Sequence, residues 1–173
     1  MFSYNFKYAI LLPFFMSIPS RRFRIWILKK YHVKIGEGTV ILRNVAFWTG
    51  CNIEIGKGCV INSRTILDGR EGKITIGDHV DIARECIIWT GEHDAHTHEL
   101  KVGNVVIGDY CWLGGRSIIM PGITIGSSTI CAANAVVTKD AEPNSIYGGV
   151  PAKKISQRNR TKDYVLSFKS KYL

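Results

Sequence analysis

Three of the chain's five histidines fall within six residues, in the segment Thr90-Gly91-Glu92-His93-Asp94-Ala95-His96-Thr97-His98-Glu99-Leu100-Lys101. Neutral imidazole is the side chain best suited to take a proton near pH 7, so the segment offers a general base for chemistry at a hydroxyl. Three clustered histidines also offer nitrogen ligands to zinc. A third reading is a surface loop in which the histidines are incidental. Cysteine chemistry is less promising. Cys51, Cys59, Cys86, Cys111 and Cys131 form an odd set without a CxxC pair, which reads as free thiols in a reducing compartment.

The histidine segment interrupts a repeat of six. From Ile107 the steps Leu113, Ile119, Ile125, Cys131 and Val137 are all apolar. The same register runs upstream in triplets: Ile35, Ile41, Phe47; Ile55, Ile61, Leu67; Ile76, Ile82, Ile88. Glycine follows the first residue of every coil, as Gly36, Gly56, Gly77, Gly108 and Gly126. With glycine near a tenth of the chain, five of five is roughly a one-in-10⁵ coincidence. Six is neither a helical nor a simple strand period, but three short strands per eighteen-residue coil fit it, each sending one aliphatic side chain inward. The coils are 35–52, 55–72, 76–93, 107–124 and 125–142. A thirteen-residue insert, 94–106, leaves the stack after the third coil, and interruptions of a regular scaffold are a usual seat of function. Corners need φ > 0, for which Gly58, Gly114, Gly122 and Asn134 are candidates.

The stretches Val106-Ile107-Gly108-Asp109, Trp112-Leu113-Gly114, Met120-Pro121-Gly122, Val137-Thr138-Lys139-Asp140 and Gly149-Val150-Pro151-Ala152-Lys153 resemble the hexapeptide-repeat acetyltransferases. The likeness is nearest to the galactoside and maltose O-acetyltransferases and the capsule or exopolysaccharide O-acetyltransferases, and it covers about residues 33–155. It implies an all-β fold, a left-handed parallel β-helix of about five coils, assembled as a homotrimer with active sites between subunits. It implies acetyl transfer from acetyl-CoA to a hydroxyl of a sugar or glycan acceptor, with no metal.

The same resemblance assigns roles. Thr90-Gly91-Glu92-His93-Asp94 is similar to the family's segment with the catalytic histidine, making His93 the general base. His96 and His98 lie one residue further from His93 than in the galactoside pattern. Gly115, Ala133, Thr138, Lys139 and Lys153 match positions that line the CoA groove, and Trp112 matches a place beside the acyl donor and the neighbouring subunit. Gly115 stands where the family offers a backbone N–H near the thioester carbonyl, a donor for the developing oxyanion. Asn62 falls near the family's acceptor-binding asparagine. Trp48 and Trp89 each follow an inward residue and so point outward, for packing on the wall or between subunits. The implied mechanism is direct transfer in a ternary complex, since no cysteine or serine is placed by motif as a nucleophile. Two alternatives stand beside it: a zinc enzyme like the γ-type carbonic anhydrases, which share the fold, and a non-catalytic β-helix scaffold.

Charge separates the ends from the body. The net charge is +9, yet residues 1–34 carry seven Lys/Arg and no acid, and 153–173 carry seven against Asp163 alone. Between them stand nine basic and thirteen acidic residues. A nucleic-acid partner would call for basic residues spread over a folded face with aromatics between them, so none is expected. The apolar run Tyr8 to Ile18 is eleven residues broken by Pro13, too short to span a bilayer and without a cleavage site. The expected location is cytoplasmic. Ser20 caps a predicted helix over 21–31, with Phe23, Trp26, Ile27 and Tyr31 on one face and Arg21, Arg22, Arg24 and Lys29 around it. The 1–34 segment therefore offers two services: Phe14, Phe15, Trp26 and Ile27 capping the open end of the first coil, or peripheral contact with an anionic membrane surface. Residues 35–142 form the β-helix domain and 143–173 a C-terminal extension, with Tyr164, Val165, Leu166 and Phe168 as a docking patch.

Overall fold

The computed structural model describes residues 7–49 and 51–159. The patch at 164–168 lies outside them. Strands stack in three parallel sheets that form the faces of a left-handed triangular prism. The first face holds Lys34–Ile35, Ile53–Ile55, Ile74–Ile76, Val105–Ile107 and Thr124–Ile125. The second holds Val40–Ile41, Val60–Ile61, Asp81–Ile82, Trp112–Leu113, Ile130–Cys131 and Ser145–Gly148, closed by the antiparallel Lys153–Gln157. The third holds Ala46–Trp48, Ile66–Asp68, Ile87–Trp89, Ile118–Ile119 and Val136–Val137.

The six-residue register is the pairing register. Ile35, Ile55, Ile76, Ile107 and Ile125 are successive partners on the first face, and Ile41, Ile61, Ile82, Leu113 and Cys131 on the second. The second-face set is fully buried, so each coil contributes aliphatic side chains to one continuous column. The five glycines have a steric cause. A Cβ on Gly36 would stand 2.5 Å from the Gly56 carbonyl carbon, and one on Gly56 would stand 2.5 Å from the Gly77 carbonyl oxygen. Coils touch there, backbone to backbone.

The corners correct one expectation. Left-handed φ falls on Gly58, Gly122 and Asn134, but not on Gly114. At the corner between the second and third faces it falls on Asn44, Arg64, Glu85, Arg116 and Asn134, none of them glycine. Four of the five cysteines are buried, Cys131 in the second-face column and three near coil corners, where they donate to carbonyls: Cys59 to Gly77 at 3.0 Å, Cys86 to Gly114 at 3.2 Å and Cys111 to Gly126 at 3.1 Å. The stack also continues past residue 142. Ala141 bridges to Ile125, and Ser145–Gly148 pairs with Ile130–Cys131 to begin a sixth, partial coil.

Two helices, α1 (Leu12–Ser17) and α2 (Arg21–Lys30), follow a π-helical turn at Lys7–Leu11 and close the open end of coil one. Ser20 caps α2, its Oγ accepting from the Phe23 amide at 3.3 Å. The buried face differs from the one expected. It is Arg24, Ile27, Leu28 and Tyr31, joined by Leu12 and Met16, whereas Phe14 and Trp26 face solvent. Arg24 reverses its expected place because its guanidinium has backbone acceptors to meet. It donates to the carbonyls of Ile18 at 2.6 Å, Pro19 at 2.9 Å and Ile41 at 2.9 Å, riveting the helical cap to the first coil.

Candidate active site

The histidine segment is a β-hairpin rather than an irregular loop. Gly91–His93 pairs antiparallel with Leu100–Val102, setting His93 opposite Leu100. Its root is fixed by Thr90, which is buried. The Thr90 hydroxyl donates to the Asp68 carbonyl and accepts from the Gly72 amide, both at 2.9 Å, while its carbonyl accepts from Gly103. The tip is fixed by Asp94, whose carboxylate accepts from the His96 and Thr97 amides at 2.8 and 2.9 Å and pairs with Lys101 at 2.5 Å. The Lys101 hydrogen bond, then the Thr97 and His96 amides, hold the Asp94 carboxyl well below the usual carboxylate range. This clamp was not foreseen from the sequence; acid and lysine seven residues apart signal nothing until the hairpin folds them together. The result is an exposed His93 on a short, pinned strand, with His96 and His98 exposed on the turn. Among the described residues, no three metal-ligating side chains come together.

The other predicted residues lie elsewhere on the prism, and of them Gly115 and Ala133 share one cleft. Trp112 points off the second face, 45% exposed, with Asp81 and Ile130 beside it on the neighbouring coils. Gly115 follows at the corner between the second and third faces, and Ala133 occupies the same corner one coil on. Together with Arg84, Glu85, Arg116 and Asn134 they line an open cleft of about 390 Å³. The glycine at 115 is not demanded by packing. An added Cβ there would meet only the Arg84 carbonyl, at an ordinary 3.6 Å, whereas one on Gly114 would stand 2.5 Å from the Ala133 amide nitrogen. Among the described residues the Gly115 N–H donates to no acceptor. The cleft thus pairs free backbone space with an available donor.

Thr138 and Lys139 sit just past Val136–Val137, exposed at the end of the third face. Lys153 opens the last strand, and the loop before it is tied to the same place. Val136 donates to the Gly149 carbonyl at 3.0 Å and accepts from the Ala152 amide at 2.8 Å. Thr138 and Lys139, expected in a CoA groove, therefore follow the strand to which the loop before Lys153 is bonded. Asn62 is half-buried, its Nδ2 donating to the Ile82 carbonyl at 3.0 Å and facing Asp81 at 3.4 Å. Burial raises the Asp81 carboxyl above its ordinary range. Arg84 and Arg116, which border the cleft, were missed. Their signal was their place in the coil register: Arg84 occupies in coil three the position that Gly115 holds in coil four.

The buried thiols are poor candidates for a nucleophile. Burial pushes the Cys59 and Cys111 thiols up to about 11 and Cys131 to about 12. Such groups stay protonated and inert.

One feature divides the candidates into two groups. His93 projects from the connection between the third and first faces, whereas Gly115 and Ala133 lie at the corner between the second and third. A whole face of the prism separates them within one chain.

No family model matches the chain. Among curated relatives, the galactoside O-acetyltransferase of Escherichia coli K12 is 35% identical over 146 residues, spanning 80% of this chain and 70% of that one. A chain named as a colanic acid biosynthesis acetyltransferase, WcaF, of the same organism is 32% identical over 81% of this chain and 78% of its own. Among solved structures, a hexapeptide-repeat acetyltransferase of Vibrio cholerae O1 biovar eltor, complexed with acetyl coenzyme A, superposes with a TM-score of 0.80 at 28% identity, covering 89% of this chain and 87% of that one. The register, the interrupting hairpin and these likenesses agree, and the chain belongs to the hexapeptide-repeat family of acetyl-CoA-dependent O-acetyltransferases.

Proposed function

We propose that this protein moves an acetyl group from acetyl-CoA to a hydroxyl of a sugar or polysaccharide precursor, by direct transfer within a ternary complex. His93 takes the proton of the acceptor hydroxyl as its oxygen attacks the thioester carbonyl. The tetrahedral oxyanion accepts a hydrogen bond from the Gly115 N–H. Collapse expels the CoA thiolate, which leaves as the thiol after taking up the proton held by His93. The pantetheine arm runs past Trp112, Gly115 and Ala133. Thr138, Lys139 and Lys153 meet the CoA phosphates, where cations are worth most. Asn62 contacts the acceptor. The reading puts the enzyme in the cytoplasm, where buried protonated thiols and the absence of disulfides are ordinary.

The observation that carries this reading is the Gly115 corner: a glycine that packing does not require, with an unused N–H, in an open cleft. The separation of that corner from His93 leads to the second element of the proposal. The working unit is a closed homotrimer in which the hairpin of one subunit reaches the cleft of the next. The test is release of CoA thiol from acetyl-CoA across nucleotide sugars, simple glycosides and polysaccharide fragments. The expected result is acceptor-dependent release matched by an acetyl ester on the sugar. Release that no hydroxyl acceptor stimulates would refute the reading.

A further inference from the structure

The helical cap does more than close the first coil. Its outer surface carries a chain of aromatic rings, each in contact with the next: Phe14 to Phe15 at 5.7 Å, Phe15 to Phe23 at 5.9 Å and Phe23 to Trp26 at 5.8 Å between centroids. The strip crosses from α1 to α2, and its two ends are exposed, Phe14 by 64% and Trp26 by 54%, with Ile10 at 57% on the preceding turn. Phe15 packs partly on the core, but core packing does not explain Phe14, Trp26 or Ile10, because the inward faces of both helices are already filled by Leu12, Met16, Ile27 and Leu28. Solvent-facing aromatics joined into one strip mark a contact surface.

The flanking charge says what kind. Arg21, Arg22, Lys29 and Lys30 are exposed around the strip, and no acid occurs before Glu37. Elsewhere in the molecule Lys34, Lys57, Lys73, Lys101 and Lys154 each pair with a carboxylate. These four cations have no carboxylate partner among the described residues. The two helices, LPFFMS and RRFRIWILKK, contain no amide, carboxylate or imidazole side chain. Their exposed polar groups are almost all cationic donors, with no carboxylate or amide to accept in return. Exposed hydrocarbon edged with cations suits the headgroup region of an anionic bilayer, where aromatic rings enter the interface and lysines and arginines meet phosphate.

We propose that the outer face of the N-terminal cap, through Phe14 and Trp26 flanked by Arg21, Arg22, Lys29 and Lys30, docks the protein on an anionic lipid surface. Arg24 makes the device rigid: buried and bonded to Ile41, it fixes the strip to the prism rather than leaving it on a loose tail. The inference is independent of the chemistry proposed at His93.

The test is co-sedimentation of the full chain with vesicles of phosphatidylcholine alone or mixed equally with phosphatidylglycerol. Binding to the mixed vesicles at about 50 mM salt, falling at least tenfold at about 500 mM, is expected as screening removes the charge term. The basic C-terminal end could also bind anionic vesicles, so the deciding variant is apolar. Phe14→Ser with Trp26→Ser should fold, since both side chains face solvent, and should lose at least tenfold in vesicle affinity. Arg21→Glu with Arg22→Glu should do likewise, with acetyl transfer in solution unchanged for both. Equal vesicle binding by the Phe14/Trp26 variant would overturn the proposal. So would no binding at low salt, or a vesicle-free oligomer that this variant dissociates, which would make the strip a protein interface.

Discussion

His93, the proposed general base, depends for its usefulness on where its strand is held. His93→Ala is expected to lower turnover about 10²–10⁴-fold, the worth of a positioned general base, while acetyl-CoA affinity by calorimetry changes little. The clamp beneath it gives a second test. Asp94 accepts from Lys101, His96 and Thr97, and its carboxyl is held below the ordinary range. A depressed folded-state value means the stabilisation is complete above the unfolded carboxylate's range and is lost as pH falls from there towards the depressed value. Asp94→Asn should therefore speed amide hydrogen exchange across Gly91–His93 and Leu100–Val102 at neutral pH. The gap from the parent should narrow as pH drops below about 4. Turnover in the variant should fall roughly tenfold through misplacement of His93, with its apparent affinity for acetyl-CoA kept.

At the scale of the elements, two glycines one would treat alike should behave oppositely. Gly56→Ala forces a Cβ into the backbone of the next coil and should cost about 1–3 kcal/mol in denaturant unfolding. Gly115→Ala should leave stability within about 0.5 kcal/mol while lowering turnover, because its Cβ enters the cleft rather than the stack. The cap gives a parallel contrast. Arg24→Met strands the buried Ile41 carbonyl and removes the bonds to those of Ile18 and Pro19, and should cost about 1–3 kcal/mol, whereas exposed Arg22→Met should be near neutral. These pairs also show what could be read in advance. The inward column was legible because one aliphatic residue in six must face the core, and the glycine ladder because coils cannot approach with a Cβ between them. Arg24 was not, since a charged residue reads as surface until the carbonyls of Ile18, Pro19 and Ile41 are seen around it. The corner residues Arg64, Glu85 and Arg116 adopt left-handed φ although their types favour no such thing; stacking on neighbouring coils imposes it. The motif singles out His93 as a candidate, but not the hairpin that carries it, in which His93 pairs with Leu100 and Gly91 with Val102.

For the whole molecule, the central claim is that chemistry happens between chains, because the prism holds His93 and the Gly115 cleft at different corners. Two variants isolate the halves. His93→Ala removes the base and leaves the cleft. Gly115→Trp fills the cleft and leaves the base, its side chain starting from a position with no close neighbour. Each alone should be inactive and fully assembled. Denatured together in equal amounts and refolded, the two should form mixed trimers. An intact site needs the hairpin of a Gly115→Trp subunit facing the cleft of a His93→Ala subunit, an arrangement at about one interface in four for random closed assembly. The decisive measurement is acetyl transfer by that mixture. Recovery of about a quarter of the parent's activity is the result predicted here; a mixture that assembles yet stays as inactive as either variant alone would contradict it.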